Sequence, residues 1–209
     1  MDDNFCVIDL KNWKRATHCK IFSKYLIPQY GITVEIDVTN FSRRVKEMNL
    51  SFSFAFVFAV TKNANEIEEF RYRFLDSKVV LYKQINTAIT SMNEETELFK
   101  VVKVPMQDRM DDYVRLAAEA AKKQDNYFTG PLGDDVFFFS SIPWLSYKSI
   151  TQVNDGDRKN ATPVFEWGKF YSKDGRLMMP FSIQVHHSFV DGLHVARLVD
   201  SLQRYLDDI

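Results

Sequence analysis

Apolar and polar residues alternate over residues 32–38 (ITVEIDV), and this two-residue period predicts a half-buried β-strand. The period then changes to that of a helix, because Phe41, Val45 and Met48 recur at helical spacing after a cap-type Thr-Asn pair. Residues 52–67 form an apolar run that is too long for one strand, which predicts a largely buried helix. Further strands are predicted at 70–74, 78–82, 87–92 and 98–104.

The second half of the chain continues this mixture of periods. A helix with alanines on one face is predicted over residues 108–123, and strand-forming stretches follow at 135–142, 162–172 and 176–187. The last two stretches are joined by KDGR, where Asp174-Gly175 favours a tight hairpin turn with positive φ. The final helix, over residues 192–209, has an apolar stripe made of Leu193, Ala196, Val199, Leu202 and Leu206.

This order of elements predicts the α+β class, as a two-layer sandwich in which helices cover a large mixed or antiparallel sheet. No internal repeat and no linker-like stretch divides the sequence, so we expect a single domain over residues 1–209. Eighteen phenylalanines and nine tyrosines supply enough apolar surface for a large core.

Charge and composition exclude several classes of function. Lys plus Arg number 27 against 28 for Asp plus Glu, with the signs interspersed, so no cationic surface for nucleic acid or anionic lipid is predicted. The acidic start and the lack of an apolar stretch near the roughly 20 residues that span a bilayer predict a cytoplasmic protein. Cys6 and Cys19 form no CxxC pair, and P-loop, Rossmann and HExxH motifs are absent from the sequence.

The segment QVHHSFVDG (184–192) holds the strongest candidate chemistry in the sequence. Adjacent side chains of a strand point to opposite faces, so His186 and His187 cannot both face one site, and one of them is expected to pack. A histidine at a strand end with Asp191 nearby can act as a general base, but it can equally be a hydrogen-bonded structural residue. A metal site is the weakest of the three interpretations, because the four histidines supply no clear set of three ligands.

Six blocks of sequence, in order along nearly the whole chain, resemble the chloramphenicol acetyltransferase family. The HHxxxDG motif with its following helix is the most characteristic of them, although lipoyl-dependent acyltransferases and peptide-synthetase condensation domains share that motif. The six blocks are LKNWKRATH, EEFRYR, NEETELF, SSIPWLSYKSI, TPVFEWGKFY and QVHHSFVDGLHVARLVDSLQ.

The resemblance implies a CoA-dependent acyltransferase fold and direct transfer of acetyl from acetyl-CoA to a hydroxyl of chloramphenicol, without an acyl-enzyme or a metal. It implies that His187 is the general base and that Ser149 stabilises the tetrahedral oxyanion. It further implies a buried ion pair between Arg15 and Asp191 that fixes the histidine in place.

The same resemblance implies the binding residues and the assembly. Lys169 and Phe170 match positions near coenzyme A, where the lysine would meet a phosphate and the aromatic ring the adenine. A homotrimer is implied, with each active site between two subunits, and with it a role in antibiotic resistance. The residues implied for the acceptor pocket are Phe22, Thr90, Phe99 and Glu166.

Several positions depart from the family pattern. Phe22 replaces a tyrosine, Ala88 a larger polar residue, and Ser51 and Ser53 stand where the family often has Lys and Tyr. The largest change is Glu166, which stands where the family has a threonine. Its carboxylate could favour the protonated form of His187, be held neutral itself, or meet a cationic acceptor.

Two alternatives to chloramphenicol acetylation follow from these departures. One is a divergent O-acyltransferase that acts on another hydroxylated small molecule. The other is a catalytically silent family member that binds a small ligand, which the joint presence of His187, Asp191, Arg15 and Ser149 disfavours.

Overall fold

The structure is a computed structural model that describes residues 4–153 and 156–209. The chain mixes strands with helices, as the changing period of the sequence predicts. The α-helices are α1 (Ala16–Phe22), α2 (Thr39–Glu47), α3 (Phe52–Asn65), α4 (Met110–Lys123) and α5 (Gly192–Asp208), and a 3₁₀ helix covers Glu68–Arg71. The strands are β1 (Phe5–Val7), β2 (Gln29–Asp37), β3 (Tyr72–Leu75), β4 (Lys78–Tyr82), β5 (Asn86–Asn93), β6 (Leu98–Val104), β7 (Val136–Ile142), β8 (Val164–Gly168), β9 (Tyr171–Lys173) and β10 (Arg176–His186).

A seven-stranded mixed sheet forms the centre of the fold. Its strands lie in the order β2-β10-β8-β7-β5-β6, with β9 paired to the start of β10. Strand β7 runs parallel to β5 and β8, and the other pairs are antiparallel. The turn between β9 and β10 has positive φ at Asp174 (52°) and Gly175 (76°), which confirms the predicted hairpin.

The two faces of this sheet differ in character. Along β10, Phe181, Ile183 and Val185 belong to the core, whereas Ser182 and Gln184 alternate with them and point to the opposite face. Helix α3 lies within that core as predicted, with Ala55–Thr61 all buried. The apolar face is therefore filled by helices, and the polar face of the sheet is left for a site.

A second, three-stranded sheet with the order β1-β4-β3 is joined to the large one by Arg73 on β3. The Arg73 guanidinium is fully buried and donates to the backbone carbonyls of Phe70, Tyr72, Asp134 and Val136 at 2.8–3.0 Å. Burial lowers its pKa to about 10, so it stays charged at neutral pH. One cation thus ties the small sheet to the start of β7.

The apolar stripe predicted for the last helix is wrong in its first half. The buried face of α5 holds Val195, Leu198, Leu202 and Leu206, whereas Leu193 and Ala196 are exposed.

The bounds of the predicted elements also differ from the observed ones in several places. The strand predicted over 70–74 begins as the 3₁₀ helix, and β1 and α1 are too short and too weakly patterned to be predicted. The strand predicted over 162–172 is divided after Gly168, where an added Cβ would lie 2.6 Å from the backbone oxygen of Leu145. Within the described ranges, no helix is long and apolar enough to cross a bilayer.

Candidate active site

The turn between β10 and α5 separates the two histidines. His186 is the last residue of β10 and is buried, with Nε2 2.9 Å from the Arg158 carbonyl and Nδ1 accepting the Ser188 amide at 3.1 Å. Burial lowers the pKa of His186, which favours the neutral ring. His186 is therefore the packed member of the pair, which confirms the prediction that one of the two histidines packs.

His187 lies just beyond the strand and keeps 37% of its side chain exposed. Its ring stacks on Phe22 from the end of α1, with centroids 3.9 Å apart and planes within 3°. Tyr30 on β2 lies on another side, with its ring centroid 4.8 Å away. The His187 amide donates to the Pro28 carbonyl at 3.0 Å, so both the backbone and the ring of this histidine are held.

Arg15, which directly precedes α1, holds the turn together. It donates to both carboxylate oxygens of Asp191, at 2.7 and 3.0 Å, and also to the backbone carbonyls of Ser188 and His187 at 3.3 and 3.4 Å. The guanidinium beside Asp191 holds the pKa of that carboxyl below its usual range. The ion pair implied by the sequence is thus present, in the two-pronged geometry that only arginine provides.

The orientation of the His187 ring follows from its neighbours. Nδ1 is buried and lies 3.2 Å from Oδ1 of Asp191, yet it makes no hydrogen bond within the described chain. Because Nδ1 is buried while over a third of the side chain is exposed, the open edge of the ring lies toward Nε2. A neutral imidazole held in this way can take a proton at Nε2.

Residues that the sequence did not single out complete the support of Asp191. His194 in the first turn of α5 accepts the Asp191 amide at Nδ1 (2.9 Å), and its Nε2 lies 3.4 Å from Oε1 of the buried Glu69. Tyr30 donates to the Val190 carbonyl at 3.3 Å, and burial beside Asp191 raises its pKa to about 12. The only signal for His194 was its place three residues after a helix-capping aspartate.

A second part of the candidate site is a cavity of about 880 Å³ at the polar face of the large sheet. Three of the four residues implied for the acceptor pocket, Thr90, Phe99 and Glu166, line it. The remaining lining residues are Met92, Glu94, Glu97, Phe138, Ser140, Ser141, Pro143, Trp144, Gln152 and Val153.

Glu166 is the unusual residue of this cavity. It lies on β8 between Ser140 of β7 and Ser182 of β10, and only 6% of it is exposed. Its Oε2 has no hydrogen-bond partner in the described part of the chain. Burial raises the pKa of Glu166 to about 7, so the carboxyl is close to half ionised at neutral pH.

The remaining sequence-predicted site residues belong neither to the turn that carries His187 nor to the lining of the 880 Å³ cavity. Ser149 is exposed in the segment after β7 and makes no hydrogen bond within the described residues. Lys169 is exposed and its amide donates to the Leu145 carbonyl at 2.7 Å, whereas Phe170 packs against Phe52 with ring centroids 4.8 Å apart. Within one chain, His187 and Phe22 do not line the 880 Å³ cavity.

Comparison with known proteins identifies the family. The family model described as chloramphenicol acetyltransferase matches residues 3–203, almost the whole sequence. The chain belongs to the chloramphenicol acetyltransferase family. It is therefore an acyltransferase, as the resemblance of the six sequence blocks implied.

The similarity to members of the chloramphenicol acetyltransferase family extends over the full length of both partners. A chloramphenicol acetyltransferase of Escherichia coli is 30% identical over 208 residues, covering 98% of this chain and 94% of that protein. A solved chloramphenicol acetyltransferase structure superposes with a TM-score of 0.89 at 28% identity, covering 97% and 99% of the two chains. A probable dihydrolipoamide acetyltransferase from Listeria monocytogenes has a TM-score of 0.65 at 19% identity, with coverage of 100% and 96%, and shares the fold.

We predict that Arg15→Ala lowers the free energy of unfolding by about 2–3 kcal/mol, somewhat less than for a fully buried pair because Asp191 is 33% exposed. The substitution leaves a carboxylate beside two carbonyls without their cation. Urea unfolding at pH 7 measures the loss of stability. Arg15→Lys keeps the positive charge but loses the two-pronged hydrogen bonding, so its stability should lie between those of the parent chain and Arg15→Ala. Because the folded pKa of Asp191 is lowered, the pair stabilises above pH 4 and this contribution disappears in stronger acid. Equal stability of Arg15→Ala and the parent chain would contradict the assignment.

We predict that the stability of the chain falls as pH rises through Glu166 titration. The folded pKa is about 7 against an ordinary 4.5, so between these values the folded state binds more protons than the unfolded state. Glu166→Gln should remove this fall and gain up to about 3 kcal/mol relative to the parent between pH 5 and pH 8. Urea unfolding across that interval measures it, with Glu119→Gln on the exposed surface of α4 as control. Parallel curves for Glu166→Gln and the parent would refute the prediction.

Proposed function

We propose that this chain transfers the acetyl group of acetyl-CoA to a hydroxyl of chloramphenicol, with His187 as general base. The observation that carries the proposal is the fixed imidazole, stacked on Phe22 at 3.9 Å with its Nε2 edge open, in a chain of this family. The relatives named chloramphenicol acetyltransferase, at about 30% identity over nearly the full length, support the same substrate.

In the proposed reaction the hydroxyl oxygen of the acceptor attacks the thioester carbonyl carbon. Nε2 of His187 takes the hydroxyl proton as the new C–O bond forms, and the carbonyl becomes a tetrahedral oxyanion. The oxyanion then collapses, the C–S bond breaks, and the proton passes from Nε2 to the departing CoA thiolate. The products are the acetyl ester and free CoA, so no acyl-enzyme and no metal ion enter the sequence of steps.

Arg15 and Asp191 act in this reaction by position. Both carboxylate oxygens of Asp191 accept hydrogen bonds from the guanidinium, and Oδ1 also lies 3.2 Å from Nδ1 of His187, so the ion pair fixes the side of the ring that faces away from the open edge. Its carbonyl contacts instead set the backbone of residues 187 and 188. We propose that this geometry keeps Nε2 directed at the acceptor hydroxyl.

Ser149 is the proposed oxyanion donor, and Lys169 and Phe170 are the proposed coenzyme A contacts. The exposed hydroxyl of Ser149 has no competing hydrogen bond in the described chain, and the exposed Lys169 ammonium is available to a phosphate. Phe170 is half-buried against Phe52, so one face of its ring remains for the adenine.

We further propose a cytoplasmic homotrimer whose active sites lie between subunits. His187 and the cavity that contains Thr90 and Glu166 are separate within one chain, so a complete site requires them to come from two chains. Exposed apolar side chains lie near both parts of the proposed site, and this supports an interface between subunits at each of them. Beside His187 these are Tyr25, Leu26 and Ile27, and beside the cavity Trp144, Leu145 and Val153.

We predict that His187→Ala abolishes thiol release from acetyl-CoA in the presence of chloramphenicol while the protein still binds CoA. Without the base, the acceptor hydroxyl keeps its proton, and rates fall by about 10²–10⁴. Ser149→Ala should lower the rate by about 10²–10³ through loss of the oxyanion donor. Thiol release with a colorimetric reagent, with and without chloramphenicol, is the measurement. Wild-type turnover by His187→Ala would remove this histidine from the mechanism.

We predict that two inactive variants restore activity in mixed assemblies. Thr90→Trp fills the cavity but keeps His187, whereas His187→Ala keeps the cavity. If sites lie between subunits, co-expression gives about a quarter of the sites an intact histidine and an intact cavity from different chains. The same variants purified apart and mixed without subunit exchange are the control. Co-expressed assemblies that stay inactive would place each site within one chain.

A further inference from the structure

The cavity is lined by Glu166, one carboxyl oxygen of which has no hydrogen-bond partner in the described part of the chain. Glu166 is 94% buried, its Oε2 makes no hydrogen bond within the described residues, and the residues beside it on β7 and β10 are Ser140 and Ser182. Burying an ionisable carboxyl without a partner costs several kcal/mol in an apolar setting, so such a group is retained only where something else offsets the cost. The raised pKa, about 7, is a second sign that its charge is not compensated within the chain.

The other walls of the cavity also favour a positively charged ligand. Glu94 and Glu97, from the turn between β5 and β6, line its outer part, and no Lys or Arg is among the described residues that line it. Phe99, Phe138 and Trp144 supply three aromatic rings, whose faces attract cations. Carboxylates and aromatic rings together are the usual surroundings of a protein-bound ammonium group.

We propose that this cavity selects acceptors that carry a positively charged nitrogen in addition to the hydroxyl group that is acetylated. The inference rests on the proposed O-acetyl transfer and names the class of acceptor, hydroxylated amines. The ammonium group donates to Oε2 of Glu166, which then has the partner that the chain lacks. The aromatic walls enclose the cation, and Glu94 and Glu97 attract it to the opening.

A neutral acceptor stabilises the buried Glu166 carboxylate less than a cationic acceptor does. Chloramphenicol has an amide nitrogen and hydroxyls but no charge, so it can offer a neutral hydrogen bond and no ion pair. A neutral donor leaves the charge of the carboxylate in place, whereas an ammonium group donates a hydrogen bond and also offsets that charge. The same cavity can therefore accept chloramphenicol and yet prefer a cationic analogue of similar shape.

A matched pair of compounds tests the preference by binding alone. Removal of the dichloroacetyl group from chloramphenicol and N,N-dimethylation of the amine gives a cationic probe that cannot form a stable amide. The N-acetyl derivative of the same amine is the neutral probe. Titration calorimetry at pH 7 with the full-length protein gives the Kd of each probe for the parent chain and for two variants, Glu166→Gln and Glu119→Gln.

The parent chain is expected to bind the cationic probe about 10- to 100-fold more tightly than the neutral one, as for a charged hydrogen bond in a buried site. Glu166→Gln should lose most of that difference while its affinity for the neutral probe changes less than threefold. Glu119→Gln, which removes an exposed charge on α4, should behave as the parent does.

Two results would overturn the proposal. Equal affinity of the parent for both probes would mean that Glu166 is satisfied otherwise, for instance by a cation of a neighbouring subunit. A preference that persists in Glu166→Gln would mean that another group selects the charge. Chloramphenicol-dependent thiol release by the same preparation is measured alongside, so that loss of the proposed function and loss of the charge preference are seen separately.

Discussion

The guanidinium of Arg15 is the contact on which the geometry of the candidate site depends. It joins a residue at the start of the chain to Asp191, 176 residues later, and it also holds two backbone carbonyls of the turn that carries His187. Helix α1 begins directly after Arg15 and brings Phe22 into stacking contact with the His187 ring. The same ion pair therefore orients both the histidine and the surface against which it lies.

A further shell of contacts prevents that turn from rearranging. His194 accepts the Asp191 amide, Glu69 faces His194 from the 3₁₀ helix, and Tyr30 donates to the Val190 carbonyl. Every one of these partners comes from a different element, so movement of Asp191 would disturb α5, β2 and the 3₁₀ helix together. The position of the proposed base depends on these contacts from the packed fold as well as on hydrogen bonds within its own turn, where the Phe189 and Val190 amides donate to the His186 carbonyl.

The cavity shows the opposite arrangement, in which a costly group is left unsatisfied. Helices cover one face of the seven-stranded sheet, and polar side chains line the other face. A ligand on the polar face therefore contacts Thr90, Ser140 and Glu166 directly. A carboxyl with a pKa of about 7 on this face lowers stability at neutral pH. Such a loss of stability in exchange for chemistry is expected where a binding site is built into a sheet.

The sequence by itself determined the class of the fold and the candidates for the reacting groups. Periods of two and of three to four residues predicted α3, α4, α5 and most strands, because apolar side chains must face one core. Strand alternation predicted that only one of His186 and His187 could face a site, and the Asp174-Gly175 pair was enough to define the hairpin. The resemblance to the family rested on six short blocks of sequence, whose residue types suit the chemistry of acyl transfer.

Tertiary structure decided what depends on distance between elements. Several contacts join segments that are far apart in sequence, so no local pattern of apolar and polar residues predicts them. They are the stacking of Phe22 on His187, the contact of His194 with Glu69 and the four carbonyls around Arg73. The sequence showed that Glu166 was unusual, but it left three meanings open, because burial and the lack of a partner are properties of its surroundings. The proposed role of Glu166 rests on the serines of the two neighbouring strands and on the acidic and aromatic side chains that line the cavity.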